Sequence, residues 1–231
     1  VTRCHSVSDV PVAGFQTKFE SVAVTGVDNL NIRSLFDRMQ FADDNGEAES
    51  LGISPAQWPL FGLLWPSALH LAARIGQRTV SDERILELGC GLALPSLVAH
   101  RRGADVTASD HHPQTLPFLN ENLRLNSLPP MKYVHRAWNP ATVDADQQYA
   151  LVMASDVLYE CDPNGTLAEC ISNRTQPNGE VWIVDPDRGH RPRFTRHMRE
   201  LGFDVHETRI AATAGVSDAY KGRMLSFTRA G

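Results

Sequence analysis

Residues 85–97, with the sequence ILELGCGLALPSL, decide the fold class. They join a short apolar run to a Gly-x-Gly turn and then to a run of helix-forming residues, which is typical of a buried strand, a tight turn and a helix. Because glycine has no side chain, the backbone at Gly89 and Gly91 is left open to close approach. The stretch therefore predicts a ligand held against the glycine turn.

The rest of the chain repeats the alternation of short apolar runs and amphipathic runs, which is typical of a parallel sheet with crossover helices. Seven strands are predicted, at residues 84–88, 105–109, 133–137, 149–154, 180–185, 203–208 and 224–228. Between two of them, Leu116, Leu119 and Leu123 recur at helical spacing and predict a helix that packs on the sheet. We therefore expect an α/β fold with a doubly wound, Rossmann-like sheet of seven strands.

Residues 1–55 follow a different pattern. The segment FESVAVTGV at residues 19–27 alternates in part, and DDNGEAES at residues 43–50 is acidic and turn-rich. We predict a small N-terminal extension here, a hairpin or lid, followed by a single domain over residues 56–231.

The overall composition bounds the class of protein. The chain has 231 residues, of which 42% are hydrophobic, and it contains no run of 18 apolar residues, so we predict a globular protein with no membrane partner. The net charge of −5 and an isoelectric point near 6.0 argue against a general nucleic-acid-binding surface. We therefore do not expect a nucleic acid as partner.

The cysteines indicate a reducing compartment. Cys4, Cys90, Cys161 and Cys170 form no C-x-x-C pair and no ordered spacing with the nine histidines, so we predict no metal site. Residues 1–20 also lack the charged region followed by an apolar region that marks a signal peptide. Both observations predict a cytoplasmic protein.

Two common ligands of glycine turns are disfavoured. A dinucleotide fingerprint needs a third glycine at the position of Leu94, and a Walker loop needs a G-K-[ST] sequence that is absent after the turn. Glu87, two residues before Gly89, would also repel a phosphate. We therefore expect a ligand that is cationic at the end that faces Glu87, and not a nicotinamide dinucleotide.

A second acid closes the next predicted strand. Asp110 lies 21 residues after Gly89, directly after the run DVTAS. A carboxylate has two oxygens and can accept hydrogen bonds from both hydroxyls of a ribose. Together, Glu87 and Asp110 fit a nucleoside that carries an amino acid and no phosphate.

Five features, taken in chain order, resemble those of a known family. They are LFGLLWPSALHLAARI at residues 60–75, Glu87-x-Gly89-x-Gly91, Asp110, Trp138 in RAWN, and SDVLYE at residues 155–160. This order is similar to that of the seven-β-strand methyltransferases that use S-adenosylmethionine. Within that superfamily the chain most resembles the protein-lysine methyltransferases with a D-x-x-Y motif after the fourth strand, including those that modify the electron-transfer flavoprotein β subunit. The resemblance covers roughly residues 57–228.

The resemblance implies S-adenosylmethionine as cofactor and a set of residues that bind it. Carried over by position, Trp65 would lie beside the cofactor, Gly89, Cys90 and Gly91 would face its amino-acid part, Asp110 would hold the ribose, Trp138 would cover the adenine, and Ser155 would line the pocket near the adenine or the sulfonium. Ala93 stands where the family has the third turn glycine, so we expect a slightly altered turn that still binds.

The resemblance also implies the reaction, which is methylation of a lysine side chain of a protein. Asp156 can accept a hydrogen bond from the incoming amine and orient its lone pair, and Tyr159 can offer an aromatic wall. These two are the predicted catalytic residues. A carboxylate beside the acceptor also favours the ammonium form of lysine, which cannot attack, so burial must offset this effect or the proton must leave to water first.

Several alternatives stay open. One has a small-molecule amine or RNA as acceptor, although Val157 and Leu158 stand where an adenine-N6 enzyme would carry prolines. Another is a cofactor-binding scaffold without turnover. The basic run at residues 187–199 contains seven Arg and His residues and is interpreted as a solvated face, with a docking site for an acidic protein or RNA as the alternative. Residues 43–50 and 209–222 are expected to shape the mouth of the pocket.

Overall fold

The computed structural model describes residues 14–80, 82–138, 140, 148–159, 162–210 and 220–229. The strands are β1 (Thr17–Val22), β2 (Leu30–Leu35), β3 (Arg84–Leu88), β4 (Asp105–Asp110), β5 (Lys132–His135), β6 (Tyr149–Ser155), β7 (Thr175–Asp185), β8 (Phe203–Arg209) and β9 (Arg223–Arg229). The α-helices are α1 (Glu47–Ser50), α2 (Pro66–Gln77), α3 (Leu94–Arg101), α4 (Thr115–Leu125), α5 (Thr166–Arg174) and α6 (Arg191–Glu200). Cys4, Cys161 and most of the predicted loop at residues 209–222 lie outside the described residues.

The main sheet has seven strands in the order β5-β4-β3-β6-β7-β9-β8. All neighbouring pairs are parallel except those that involve β9, which runs antiparallel to β7 and to β8. The chain moves outward from β3 to β5 on one side and from β6 to β7 on the other, so the strand order reverses between β3 and β6. Ligands of doubly wound sheets bind at such a switch point. The predicted seven-stranded Rossmann-like fold is confirmed.

Each predicted strand corresponds to a strand of the sheet, and β7 differs most from its prediction. It begins at Thr175, five residues before the predicted start at residue 180. Residues 175–179 read TQPNG, a composition typical of a turn. Thr175 nevertheless pairs with Tyr149, and the register shifts before Leu151. The added segment therefore joins the sheet through a bulge. Its turn-like sequence gives no indication of this pairing.

Helix α4 buries a different face from the one predicted. Leu119 and Leu123 are buried, but Leu116 is 39% exposed, so the expected stripe of three leucines is wrong at its first position. Phe118 and Asn122 lie on the buried face instead. A buried asparagine was not expected there, because apolar spacing alone carries no information about a polar partner.

The partner of this asparagine is the N-terminal hairpin, formed by β1 and β2 in antiparallel register. Asn122 accepts a hydrogen bond from the Arg33 amide (2.7 Å) and donates one to the Arg33 carbonyl (3.3 Å). Asn126, one turn later, repeats the pattern with the amide and carbonyl of Asn31 (2.9 and 2.7 Å). The two side-chain amides thus make the hydrogen bonds that a neighbouring strand would make at the edge of β2. They attach the hairpin to α4.

We expect the Asn122→Ala variant to lose about 2–4 kcal/mol of unfolding free energy, because the buried amide and carbonyl of Arg33 would both lose their partners. Asn126→Ala is the matched control, since the same pair of bonds there is exposed to water and should cost about 1 kcal/mol. Urea denaturation measures both variants. Equal losses would contradict the assigned role of the buried asparagine.

Candidate functional site

A cleft of about 970 Å³, including the open space at its mouth, forms a cavity at the carboxyl ends of β3, β4 and β6, under the segment that leads into α2. Nine of the ten predicted site residues line it, and these are Trp65, Gly89, Cys90, Gly91, Asp110, Trp138, Ser155, Asp156 and Tyr159. Glu87 is the exception. The cavity therefore gathers residues that are up to 94 positions apart in the chain.

The glycine turn is held by backbone and side-chain hydrogen bonds from β4. The Cys90 amide donates to the Ser109 carbonyl (3.0 Å), and the Gly91 amide donates to Asp110 Oδ2 (2.9 Å). Gly91 has a φ of 49°, and a Cβ placed there would lie 2.9 Å from the Phe61 carbonyl oxygen. Only glycine therefore combines this backbone conformation with so close an approach of the segment before α2.

Ala93 departs from what its side chain predicts. Its φ of 56° and ψ of 32° are left-handed, a conformation that residues other than glycine rarely adopt. Left-handed backbone costs a non-glycine residue roughly 1–2 kcal/mol. The Ala93 amide donates to the Cys90 carbonyl (2.7 Å), and the residue is the N-cap of α3. The rest of the fold therefore offsets the strain of this turn.

Glu87 does not reach the cavity, which corrects the prediction that it faces a cationic part of the ligand. The side chain is fully buried beneath the start of α3, where Oε2 accepts hydrogen bonds from both the amide and the hydroxyl of Ser96. Burial raises the pKa of Glu87 to about 8. A carboxyl group that is neutral at pH 7 holds the helix start in place and offers no charge to a ligand.

Asp110 is positioned to use both of its carboxylate oxygens. Oδ2 accepts from the Gly91 amide and Oδ1 accepts from the His112 amide (2.9 Å). Each oxygen keeps a lone pair that can accept from a ligand hydroxyl. The ring of His112 stacks on Phe61 at 4.0 Å, and burial lowers the pKa of His112 to about 4. Phe61 and His112 also line the cavity, as a neutral aromatic wall that was not predicted.

Asp156 follows β6 in a left-handed conformation, with a φ of 58°. Its carboxylate receives the Arg188 guanidinium, whose Nη2 lies 3.0 Å from Oδ1 and 3.1 Å from Oδ2. Ser67 Oγ donates a long hydrogen bond of 3.5 Å to Oδ2. Burial raises the pKa of Asp156, and the Arg188 charge opposes this rise. Tyr159, which is half-buried, lines the same cavity.

Ser67 connects Asp156 to Tyr220. The two hydroxyls lie 2.9 Å apart, and burial raises the pKa of Tyr220 to about 12, so the phenol keeps its proton. Since a carboxylate only accepts, the proton of Ser67 points to Asp156 and that of Tyr220 points to Ser67. Two donors in series therefore face the carboxylate. Neither residue was predicted, because the two lie 153 positions apart and share no motif.

A second cavity, of about 1200 Å³, adjoins the first and shares the side chains of Trp138, Val157 and Tyr159. His190, Arg193 and His197 line it. Together with Arg188 in the first cavity, these residues show that the basic run at residues 187–199 faces the two cavities in part. None of these four residues is buried, so they line the cavities and also reach solvent.

We expect the Glu87→Gln variant to weaken the pH dependence of stability. Because the pKa of Glu87 is about 8 in the native state and about 4.5 when unfolded, the native state holds a proton that the unfolded state releases between these values. The free energy of unfolding therefore falls as the pH rises from about 4.5 to about 8. Glutamine cannot ionise and removes this contribution. Urea denaturation at pH 5 and pH 8 measures the difference, and an unchanged difference in the variant would exclude a neutral Glu87.

No helix in the described ranges is long and apolar enough to cross a membrane.

Comparison with solved structures supports the fold. The chain resembles the Thermus thermophilus 16S rRNA N2 G1207 methyltransferase RsmC, solved with AdoMet and guanosine, with a TM-score of 0.63, 16% identity, and coverage of 96% of this chain and 52% of that one. It also resembles the ribosomal protein L11 methylase of Lactobacillus delbrueckii subsp. bulgaricus, with a TM-score of 0.56, 20% identity, and coverage of 70% and 77%. At these identities the likeness concerns the fold alone.

Comparison with curated proteins gives relatives whose names specify the methylated residue. The chain is 27% identical to the protein N-terminal and lysine N-methyltransferase EFM7 of Candida glabrata, over 65% of this chain and 62% of that protein. It is 32% identical to the human histone-arginine methyltransferase METTL23 (42% and 54%), and 31% identical to the bovine protein-lysine methyltransferase METTL21E (42% and 37%). The chain spans about half the length of the curated relatives it matches.

The model of the lysine methyltransferase family matches residues 60–200, which include the glycine turn, Asp110, Trp138 and the D-x-x-Y motif. This match confirms the family that those motifs predicted. Because it covers more than half of the chain, the protein belongs to the lysine methyltransferase family.

Proposed function

We propose that this protein is an S-adenosylmethionine-dependent N-methyltransferase that acts on a lysine side chain of a protein. The observation that carries the proposal is the shared cavity: the glycine turn and Asp110 lie on one wall, and Asp156 and Tyr159 lie on another. The wall that suits a nucleoside and the wall that suits an amine therefore border the same space, where a bound cofactor and an acceptor amine would meet. Membership of the lysine methyltransferase family supports the same reading.

The residues of the first wall suit the cofactor. The bare backbone from Gly89 to Gly91 would hold its amino-acid part, and Asp110 would accept from the ribose hydroxyls. Trp138 would cover the adenine, while Trp65, Cys90 and Ser155 would complete the pocket. When bound, S-adenosylmethionine supplies a methyl group on a sulfonium.

The second wall suits an amine. Asp156 would accept a hydrogen bond from the amine nitrogen and so direct its lone pair into the cavity, and Tyr159 would confine it. Because attack on a methyl carbon needs alignment more than proton transfer, positioning can supply a large share of the acceleration. The aromatic faces of Tyr159 and Trp65 would also tolerate the positive charge of the product.

The choice of a protein lysine as acceptor rests on the family and on the curated relatives. EFM7 of Candida glabrata and bovine METTL21E are named for lysine methylation, whereas METTL23 is named for arginine methylation and a Dictyostelium discoideum relative for histidine methylation. All four act on proteins. We therefore propose a protein partner, with a small-molecule amine, RNA, or a scaffold without turnover as the alternatives that the experiment separates.

Two further proposals concern the extent of the domain and the compartment. We propose that residues 1–55 are an extension of a methyltransferase domain over residues 56–231, and the docking of the hairpin on α4 and the position of Ile53 in the cavity lining support a role at its mouth. A cytoplasmic location stays a prediction. It rests on the cysteine pattern, and Cys90 and Cys170 are free thiols.

Transfer of labelled methyl from S-adenosylmethionine into a cell lysate tests the proposed function. We expect a labelled band that protease removes and nuclease leaves, with the label on lysine after hydrolysis. Asp156→Asn should lower the rate by about 100-fold, because the amide replaces one of the two acceptor oxygens by an NH2 donor and therefore pairs less well with Arg188 and orients the amine less well.

The matched control is Asp105→Asn. Asp105 lies at the start of β4, at the opposite end of the sheet, and pairs with Lys132 at the surface, so full activity is expected. Label on RNA or on small molecules would overturn the protein acceptor. Tight cofactor binding with no label in any fraction would favour a scaffold.

A further inference from the structure

Arg188 lies at the corner of the cavity where the acceptor would bind. It follows β7 by three residues, its guanidinium contacts both oxygens of Asp156, and its Cζ lies 5.7 Å from the centre of the Trp65 ring. Asp156 and Trp65 are two of the groups that would otherwise attract a cationic acceptor. The guanidinium of Arg188 therefore already places a positive charge next to both groups.

This arrangement bears on a chemical difficulty of the reaction. A lysine amine has an ordinary pKa of about 10.4 and must lose its proton before its lone pair can attack. A lone carboxylate beside the amine would raise this pKa further, typically by about 1–3 units, and so would hold the acceptor as an unreactive ammonium. Asp156 on its own would therefore bind the acceptor in the wrong protonation state.

We propose that Arg188 is a specificity-determining residue, which neutralises Asp156 so that the site receives the acceptor amine as the free base. The inference rests on the proposed function, since it names the form of the substrate that the same site takes. In the ion pair, Asp156 still has oxygen lone pairs to accept a hydrogen bond from a neutral amine. The guanidinium adds a nearby positive charge that disfavours a second one.

The burial of the two groups makes the pair effective. The Asp156 side chain is 9% exposed, so water screens its charge poorly, while the Arg188 side chain is 43% exposed and remains hydrated on one side. Donors on α2 and before β9 complete the carboxylate's surroundings, since Ser67 donates to it and Tyr220 donates to Ser67. Asp156 thus receives hydrogen-bond donors from two directions.

Most other charged groups around the pair have partners of their own, and the buried Asp185 is the exception, because the Asp156 charge adds to the rise that burial causes in the pKa of Asp185. Asp187 pairs with Arg191 on α6 and with Arg223 on β9. Asp185, at the end of β7, is buried and accepts from the Asp187 amide. Across the cavity, after β4, Asp110 and His111 lie 3.6 Å apart and the buried His112 is neutral at pH 7. Within the described residues, Arg188 is therefore the guanidinium that compensates Asp156.

The pH dependence of kcat tests the inference, because kcat reports the ionisations of the bound complex. The probe is the acceptor protein identified by methyl transfer. In Arg188→Gln the unneutralised carboxylate should raise the pKa of the bound amine. The ascending limb of the plot of kcat against pH should therefore move to higher pH by about one unit or more. At pH 7.5 this shift corresponds to a kcat about tenfold lower than that of the wild type, and the difference should shrink as the pH rises. Arg188→Lys should restore the wild-type limb.

Arg223→Gln is the matched control. It removes the same charge from a guanidinium that pairs with Asp187, and its ascending limb should stay in place. A loss of rate in Arg188→Gln that is equal at every pH would overturn the inference in favour of a structural role. Faster transfer with a lower acceptor KM and an unmoved limb would also overturn it, since Arg188 would then be an obstacle that the acceptor displaces.

A second measurement needs no acceptor. Titration of Asp156 by ¹³C NMR should give a pKa at least about one unit higher in Arg188→Gln than in the wild type, because the compensating charge is lost. An unchanged pKa of Asp156 would overturn the inference whatever the kinetics. If the wild type transfers no methyl to protein, the proposed function fails, while the NMR titration still decides whether Arg188 neutralises Asp156.

Discussion

The hydrogen bond from the Gly91 amide to the Asp110 carboxylate joins the ends of β3 and β4, and the cavity depends on it. The same carboxylate accepts from the His112 amide, so the chain leaving β4 is fixed to the glycine turn. Phe61 closes over the turn at a distance that only glycine permits. One acid thereby fixes two segments, and Phe61 packs against both of them, before any ligand binds.

The strand pattern could be predicted from the sequence because the central parallel strands β3, β4 and β6 are buried on both faces and read as short apolar runs. β7 begins earlier than predicted because its first residues pair through a bulge, and the composition TQPNG indicates a turn. Leu116 was misplaced because helical spacing fixes a stripe only to within a residue, and the true face is decided by Asn122 and its bonds to β2.

The lining of the cavity could be predicted where its residues belong to local motifs, as at Gly89, Gly91 and Asp156. The prediction for Glu87 was wrong because the charge of a carboxylate does not show which way its side chain points. The side chain points away from the cavity and accepts a hydrogen bond from the Ser96 amide. Arg188 was missed because it belongs to a basic run whose composition is typical of a solvated face. Only the adjacency of β6 and β7 brings this residue to Asp156.

The central claim is that the wall formed by the glycine turn and Asp110 holds the cofactor with its reacting end toward Asp156. A crystal structure of the protein with S-adenosylhomocysteine tests it most directly. The account predicts ribose hydroxyls within hydrogen-bond distance of the Asp110 carboxylate and the sulfur on the side of the cavity that Asp156 and Tyr159 line. A ribose that does not contact Asp110, or a ligand bound in the adjoining cavity of about 1200 Å³, would contradict the account.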